Sequence, residues 1–109
     1  MVFIKIGETS EVPVGAMKSY TVSGKEVLIL NVNGKYYAMN NKCPHMNGNL
    51  SKGILQGIVL TCPRHSSRFD ISTGKALSGP KFGPIKLKTS DAHIYPAQVD
   101  GNAIMVDIG

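Results

Sequence analysis

Residues 26–39, EVLILNVNGKYYAM, decide the fold. Two runs rich in aliphatic and aromatic residues flank Asn33-Gly34, and Asn-Gly supplies the two positive φ angles of a type I′ hairpin. This predicts two antiparallel strands joined by a two-residue turn. Working outward, VFIKI (2–6), MKSYTV (17–22), GIVLTC (57–62), HIYPAQV (93–99) and AIMVDI (103–108) each have the length and composition of a strand. Ser23-Gly24, Thr73-Gly74 and Asp100-Gly101-Asn102 mark turns, the last closing a second hairpin near the C-terminus. No stretch keeps a 3.6-residue apolar period, so little helix is expected. The prediction is an all-β chain, a small antiparallel β-sandwich or barrel, forming a single domain over 1–109.

The composition, 42% hydrophobic and 17% charged, is that of an ordinary folded domain. The absence of an 18-residue apolar run and of a charged-then-apolar leader predicts no membrane segment and a cytoplasmic location. In that reducing compartment the two cysteines, Cys43 and Cys62, are not expected to form a disulfide. Charge is unevenly spread. The net charge is +5, yet residues 40–90 carry Lys42, Lys52, Arg64, Arg68, Lys75, Lys81, Lys86 and Lys88 against Asp70 alone.

That basic segment also holds both cysteines. CPH (43–45) follows the predicted strand KYYAM, and CPRH (62–65) ends the predicted strand GIVLTC, with sixteen residues between His45 and Cys62. Thiolate and imidazole at such short spacing are metal ligands. A structural zinc ion accepts two Cys and two His, but its knuckles usually pair like with like. Here each loop brings one of each. That suits a two-iron, two-sulfide cluster with both Cys on one iron and both His on the other, while a single zinc ion stays open at this point.

CPH, sixteen residues and CPRH, followed by SRFD and then TG (67–74), resemble the Rieske family of [2Fe–2S] proteins. In length the chain is similar to the soluble Rieske-type ferredoxins, the ferredoxin components of ring-hydroxylating oxygenases. The likeness runs from VPVG (12–15) to the final hairpin. It implies a β fold with a two-loop cluster-binding part, about 40–84, and a Rieske [2Fe–2S] cluster. Cys43 and Cys62 would bind one iron and His45 and His65 the other. SGPKFGP (78–84), with Gly79 and Pro80 near its start, would be a third loop shielding the cluster. The implied function is one-electron transfer between a reductase and an oxygenase or other redox acceptor, by a monomer that is not itself an enzyme. An oxygenase catalytic subunit also needs a mononuclear iron site, commonly two His and a carboxylate. After His45 and His65 only His93 remains, and it is assigned a structural or surface role.

Charge explains why two imidazoles matter. The charges of two ferric ions, two sulfides and two thiolates cancel, whereas four thiolates leave an anion that resists a further electron. Potentials in this class accordingly lie at roughly −150 to +300 mV. The second nitrogen of each imidazole can also couple the electron to a proton. Hydrogen bonds to the cluster raise the potential further. By the resemblance Ser67 stands at a Ser donor position, while Phe69 stands where respiratory relatives carry a Tyr donor. Arg64 occupies a position where those relatives add a disulfide-forming Cys, and Ser66 replaces the usual Gly after the second His. A low-to-intermediate potential, below the respiratory type, is therefore expected. Lys42, Lys52, Arg64 and Arg68 are expected to steer an acidic redox partner. Nucleic acid is not expected, because no aromatic–basic interleaving accompanies the charge.

Overall fold

The computed structural model describes residues 2–44, 48–63, 66–78, 81–82, 85–86 and 90–109. Among them it shows thirteen strands, two three-residue 3₁₀ turns (Thr9–Glu11 and Leu50–Lys52) and no α-helix. The strands are β1 (Ile4–Glu8), β2 (Met17–Val22), β3 (Lys25–Val32), β4 (Lys35–Asn40), β5 (Ile54–Gln56), β6 (Val59–Thr61), β7 (Arg68–Asp70) and β8 (Ala76–Ser78). They continue with β9 (Lys81–Phe82), β10 (Ile85–Lys86), β11 (Ile94–Tyr95), β12 (Ala97–Asp100) and β13 (Ala103–Val106). No helix among the described residues is long and apolar enough to cross a membrane.

Asn33 and Gly34 both have positive φ, 54° and 89°, and Val32 pairs with Lys35 across them. The hairpin of residues 26–39 is thus the tight turn its sequence predicts. Ser23-Gly24 makes the same kind of turn between β2 and β3, with φ of 49° and 78°. These strands form a central antiparallel sheet in the order β11-β4-β3-β2.

Val27, Leu28, Ile29 and Leu30 are all fully buried, which a strand achieves only when both its faces are covered. Val27 and Ile29 pack with Val12, Ala38, Tyr95, Ile104 and Val106 towards the sheet β1-β13-β12. Leu28 and Leu30 point the other way, into a cluster with Met39, Leu50, Leu60, Phe69, Ile71, Ala92 and both cysteines. That second core supports the sheet β5-β6-β7-β8. The sandwich therefore has a shared middle layer, one side closed by β1, β13 and β12 and the other by β5, β6, β7 and β8.

HIYPAQV is not one strand but two. Pro96 has no N–H to donate, and at that point the chain leaves β4, paired through Ile94 and Tyr95, and joins β13 from Ala97 onward. GIVLTC is shorter than predicted: Gly57, at φ 59°, and Ile58 form a turn, and only Val59–Thr61 pair as a strand.

Tyr20 donates to Glu11 Oε1 at 2.9 Å, and burial together with that carboxylate pushes its phenol up to about 12. A raised phenol favours the folded state below the ordinary value of 10.0 and loses that contribution as pH climbs towards 12. The ultraviolet phenolate signal of folded protein should therefore show Tyr20 titrating well after an exposed tyrosine, with Tyr95, raised by burial, also delayed.

Candidate metal centre

The two cysteine loops are built alike. Cys43 N–H donates to Gly48 O at 2.7 Å, and Cys62 N–H donates to Ser67 O at the same distance. Each bond spans five residues, so each loop turns back on itself directly after its cysteine. Both side chains are buried, no disulfide joins them, and both belong to the apolar cluster floored by Leu50, Leu60 and Phe69. A metal group held there would meet an apolar, low-dielectric wall on the side of the two cysteines.

His45, His65, Arg64, Gly79 and Pro80 lie outside the described residues. Among the described residues no group of three or more metal-binding side chains forms, since only two of the four expected ligands are among them. His93, by contrast, is exposed just before β11, its ring 4.8 Å from that of Tyr95, as befits a surface residue.

Ser67 is fully buried, and among the described residues its Oγ is the buried side-chain polar atom without a hydrogen-bond partner. An unmatched buried hydroxyl costs about 1–3 kcal/mol, so an acceptor supplied by a bound group would satisfy it. The sulfurs of an iron–sulfur cluster are such acceptors. Two buried thiols and this hydroxyl, on two loops of matching construction, fit that group. Phe69 lies in the apolar floor and has no donor to offer.

Ser66 has φ 60°, in the left-handed region where glycine is at ease. The chain thus keeps a glycine-like backbone after the second His position with a residue that strains to adopt it. Ser66→Gly should raise stability by about 1 kcal/mol, read as a higher denaturant midpoint of the holoprotein. An unchanged or lower midpoint would show that the hydroxymethyl group makes a compensating contact.

A polar clasp closes the first loop. The fully buried Asn41 accepts from Ser51 N–H at 2.8 Å through Oδ1 and donates through Nδ2 to Asn49 Oδ1 at 2.7 Å. Its backbone accepts from Leu50 N–H at 2.8 Å and donates to Glu26 O at 3.0 Å. Asn49 Oδ1 also accepts from Ser51 N–H at 3.2 Å and caps the 3₁₀ turn Leu50–Lys52. Sequence reasoning missed this clasp. An Asn two residues before a Cys reads as loop, and nothing in its spacing announces burial.

Of the four expected docking cations, Lys42 pairs with Glu26 at 2.9 Å, and that hydrogen bond holds the Glu26 carboxyl below its usual range. Lys52 and Arg68 are exposed, with no carboxylate partner among the described residues; Arg68 Nε donates to Ser78 Oγ at 3.3 Å. The structure thus leaves Lys52 and Arg68 available to a partner, while Lys42 has one within the chain.

Comparison with known proteins gives this geometry its context. Residues 2–93 match the model of the Rieske [2Fe–2S] domain. The chain is 38% identical over 98 residues to the ferredoxin component of the naphthalene 1,2-dioxygenase system of Pseudomonas aeruginosa, covering 90% of this chain and 88% of that one. It superposes with TM-score 0.77 and 27% identity on the ferredoxin of carbazole 1,9a-dioxygenase from Nocardioides aromaticivorans, over 97% of each chain. A complex of reduced oxygenase and oxidised ferredoxin in carbazole 1,9a-dioxygenase contains the same fold, with TM-score 0.83, 24% identity, and coverage of 96% of this chain and 92% of the matched one. With the domain model matched over residues 2–93 and a relative 38% identical over 90% of this chain, the chain belongs to the Rieske [2Fe–2S] family.

Proposed function

We propose that this chain is the ferredoxin of a ring-hydroxylating oxygenase system, passing single electrons from a reductase to a terminal oxygenase. Cys43 and Cys62 would hold one iron of its cluster, and His45 and His65 the other. Residues 1–109 act as one domain with the cluster-binding part at about 40–84, working in the cytoplasm as a monomer. The observation that carries the reading is the equivalence of the two loops, each closed by a Cys N–H to a carbonyl five residues on, with both thiols buried in one apolar floor. When bound, the cluster supplies one-electron uptake and release. The chain's own residues exclude water from the thiolate side and hold the two loops in register. Curated relatives named as ferredoxin components, electron carriers and not catalysts, support the carrier role.

The visible spectrum of the purified protein, with its iron and acid-labile sulfide content, tests this. Two irons and two sulfides per chain with broad bands through the blue are expected. A colourless protein holding one zinc would overturn it.

Ser67 would donate a hydrogen bond from its hydroxyl to the cluster and help to set the potential, with Phe69 adding no donor. Ser67→Ala should lower the reduction potential while the visible bands keep their shape, because the ligands are untouched. Voltammetry showing no shift would remove that role. A wild-type potential near the upper end of roughly −150 to +300 mV would contradict the low-to-intermediate expectation.

A further inference from the structure

In the sheet β5-β6-β7-β8, Leu55, Leu60 and Phe69 occupy one cross-strand row and pack into the cysteine-bearing core. The neighbouring row runs Ile54, Thr61, Arg68, Ser78 and therefore lies on the opposite face. Ile54 is 63% exposed, although a large aliphatic side chain gains from burial. Its cross-strand partner Thr61 directly precedes Cys62, so Ile54 stands one strand, roughly 5 Å, from the backbone that carries a cluster ligand position. Lys52 lies two residues before it, and Arg68 two strands away in the same row. Asp70, the carboxylate on that face, is occupied by Ser72, whose N–H donates to it at 2.8 Å. An isolated exposed aliphatic residue has no special meaning. This one stands near two cations, Lys52 and Arg68, that have no carboxylate partner among the described residues, at the base of a loop expected to carry a ligand.

We propose that Ile54 is the apolar anchor of the docking face for the electron-accepting oxygenase. It would enter a hydrophobic recess whose surrounding carboxylates meet Lys52 and Arg68. The inference rests on the proposed carrier function and adds to it the chemistry of the partner's surface: an acid-rimmed apolar socket. The division of labour follows from physics. The cations steer the encounter and fix orientation, and are screened by salt. The desolvated anchor sets the dissociation rate. One anchor in a small interface suits a transient electron-transfer complex, which must release its partner after each electron.

The test uses cluster-loaded protein and, as the probe, the purified oxygenase component of the Pseudomonas aeruginosa naphthalene 1,2-dioxygenase system. Two quantities are read: the Kd for the oxidised protein, and the anaerobic rate of electron transfer from the reduced protein. For Ile54→Ser, Kd should rise about tenfold, the size of a moderate hot-spot truncation, at unchanged salt dependence. The limiting transfer rate, visible spectrum and reduction potential should stay at wild-type values. For Lys52→Gln with Arg68→Gln, the salt dependence of the association rate should flatten. Val99→Ser, an exposed residue of β12 in the other outer sheet, should leave both quantities unchanged. Wild-type affinity for Ile54→Ser overturns the anchor while leaving the carrier function intact. If Ile54→Ser slows reduction by the reductase and spares the oxygenase, the face belongs to the reductase and the proposal falls. A wild-type protein whose bound cluster cannot be reversibly reduced by one electron overturns the carrier reading itself, and the anchor with it.

Discussion

Gly53→Ala is expected to cost about 3 kcal/mol and to leave the chain unable to retain its cluster. Gly53 ends the 3₁₀ turn Leu50–Lys52 with φ −80°, a backbone any residue adopts, so conformational freedom is not what requires glycine here. Space is. A Cβ at this position would lie 2.2 Å from the carbonyl oxygen of Thr61 and 3.1 Å from that of Leu50. Neither obstacle is a flexible side chain. Leu50 O already accepts Gly53 N–H at 3.0 Å, and Thr61 is the cross-strand partner of Ile54, so relief requires the ladder at the head of β5 to open. The displaced residue would be the one before Cys62, while the displacing segment follows the Cys43 loop. Gly53 thus sits where the segment after the Cys43 loop meets the residue before Cys62, and a shift there would move the two loops relative to each other. Iron and sulfide per chain after reconstitution, with the denaturant midpoint, measure the effect. Gly57→Ala is the control: its φ of 59° is strained for alanine, but its Cβ would meet nothing within 4 Å. It should cost about 1 kcal/mol and leave the cluster in place. A loss at 53 no greater than that at 57 would mean that the neighbouring backbone yields to the added Cβ, and that contact with Thr61 is not what requires glycine at 53.

The features that were legible in the sequence are those encoded within a few residues. Asn33-Gly34 announced its hairpin because the φ values it needs are a property of those two residues. The run Val27–Leu30 announced burial because nothing polar interrupts it, though not that its two faces serve different cores. The cysteine spacing pointed to two loops of one kind, and both cysteines lie in one buried cluster. What stayed hidden depends on partners distant in the chain. Strands β5, β7 and β8 are three residues each and exist only through their neighbours in one sheet. HIYPAQV read as one strand, yet Pro96 is the point where the chain changes sheets, which only the pairing with β4 and β13 reveals. Ser66 obscured a turn that glycine would have marked, because a serine forced to φ 60° carries no local signal of it. Lys42 read as a free cation until Glu26, sixteen residues earlier and on the neighbouring strand, was placed beside it.

The polar clasp was the least legible element, and Asn41→Asp should expose what it does, with a loss of about 3 kcal/mol at neutral pH. The substitution changes one NH₂ to an oxygen and almost nothing in volume. One introduced oxygen can still accept from Ser51 N–H, as Asn41 Oδ1 does at 2.8 Å. The other would face Asn49 Oδ1 at the present 2.7 Å and Glu26 Oε1 at 3.4 Å, acceptor against acceptor. Asn49 cannot relieve this by turning its amide over, because its Oδ1 is already fixed by the N–H of Ser51 at 3.2 Å. Glu26 cannot relieve it by taking a proton, because Lys42 holds it ionised. The introduced carboxyl, fully buried, is therefore pushed above the usual carboxylate range in the folded protein. A raised value means that the protonated form, which can donate to Asn49 Oδ1, is the one the fold accepts. The deficit should be large near pH 8 and shrink towards about pH 5 as that proton is gained. Because Asn41 joins the end of β4 to the turn beyond the Cys43 loop, the deficit should appear as faster bleaching of the cluster's visible bands on mild heating. Bleaching equally fast at both pH values would assign the loss to altered shape; wild-type bleaching at both would mean that the loop is held by its backbone bonds alone. A deficit that follows the proton would show that the buried amide of Asn41 is chosen for its donor, the one group at that point able to satisfy Asn49 without bringing a charge into the core.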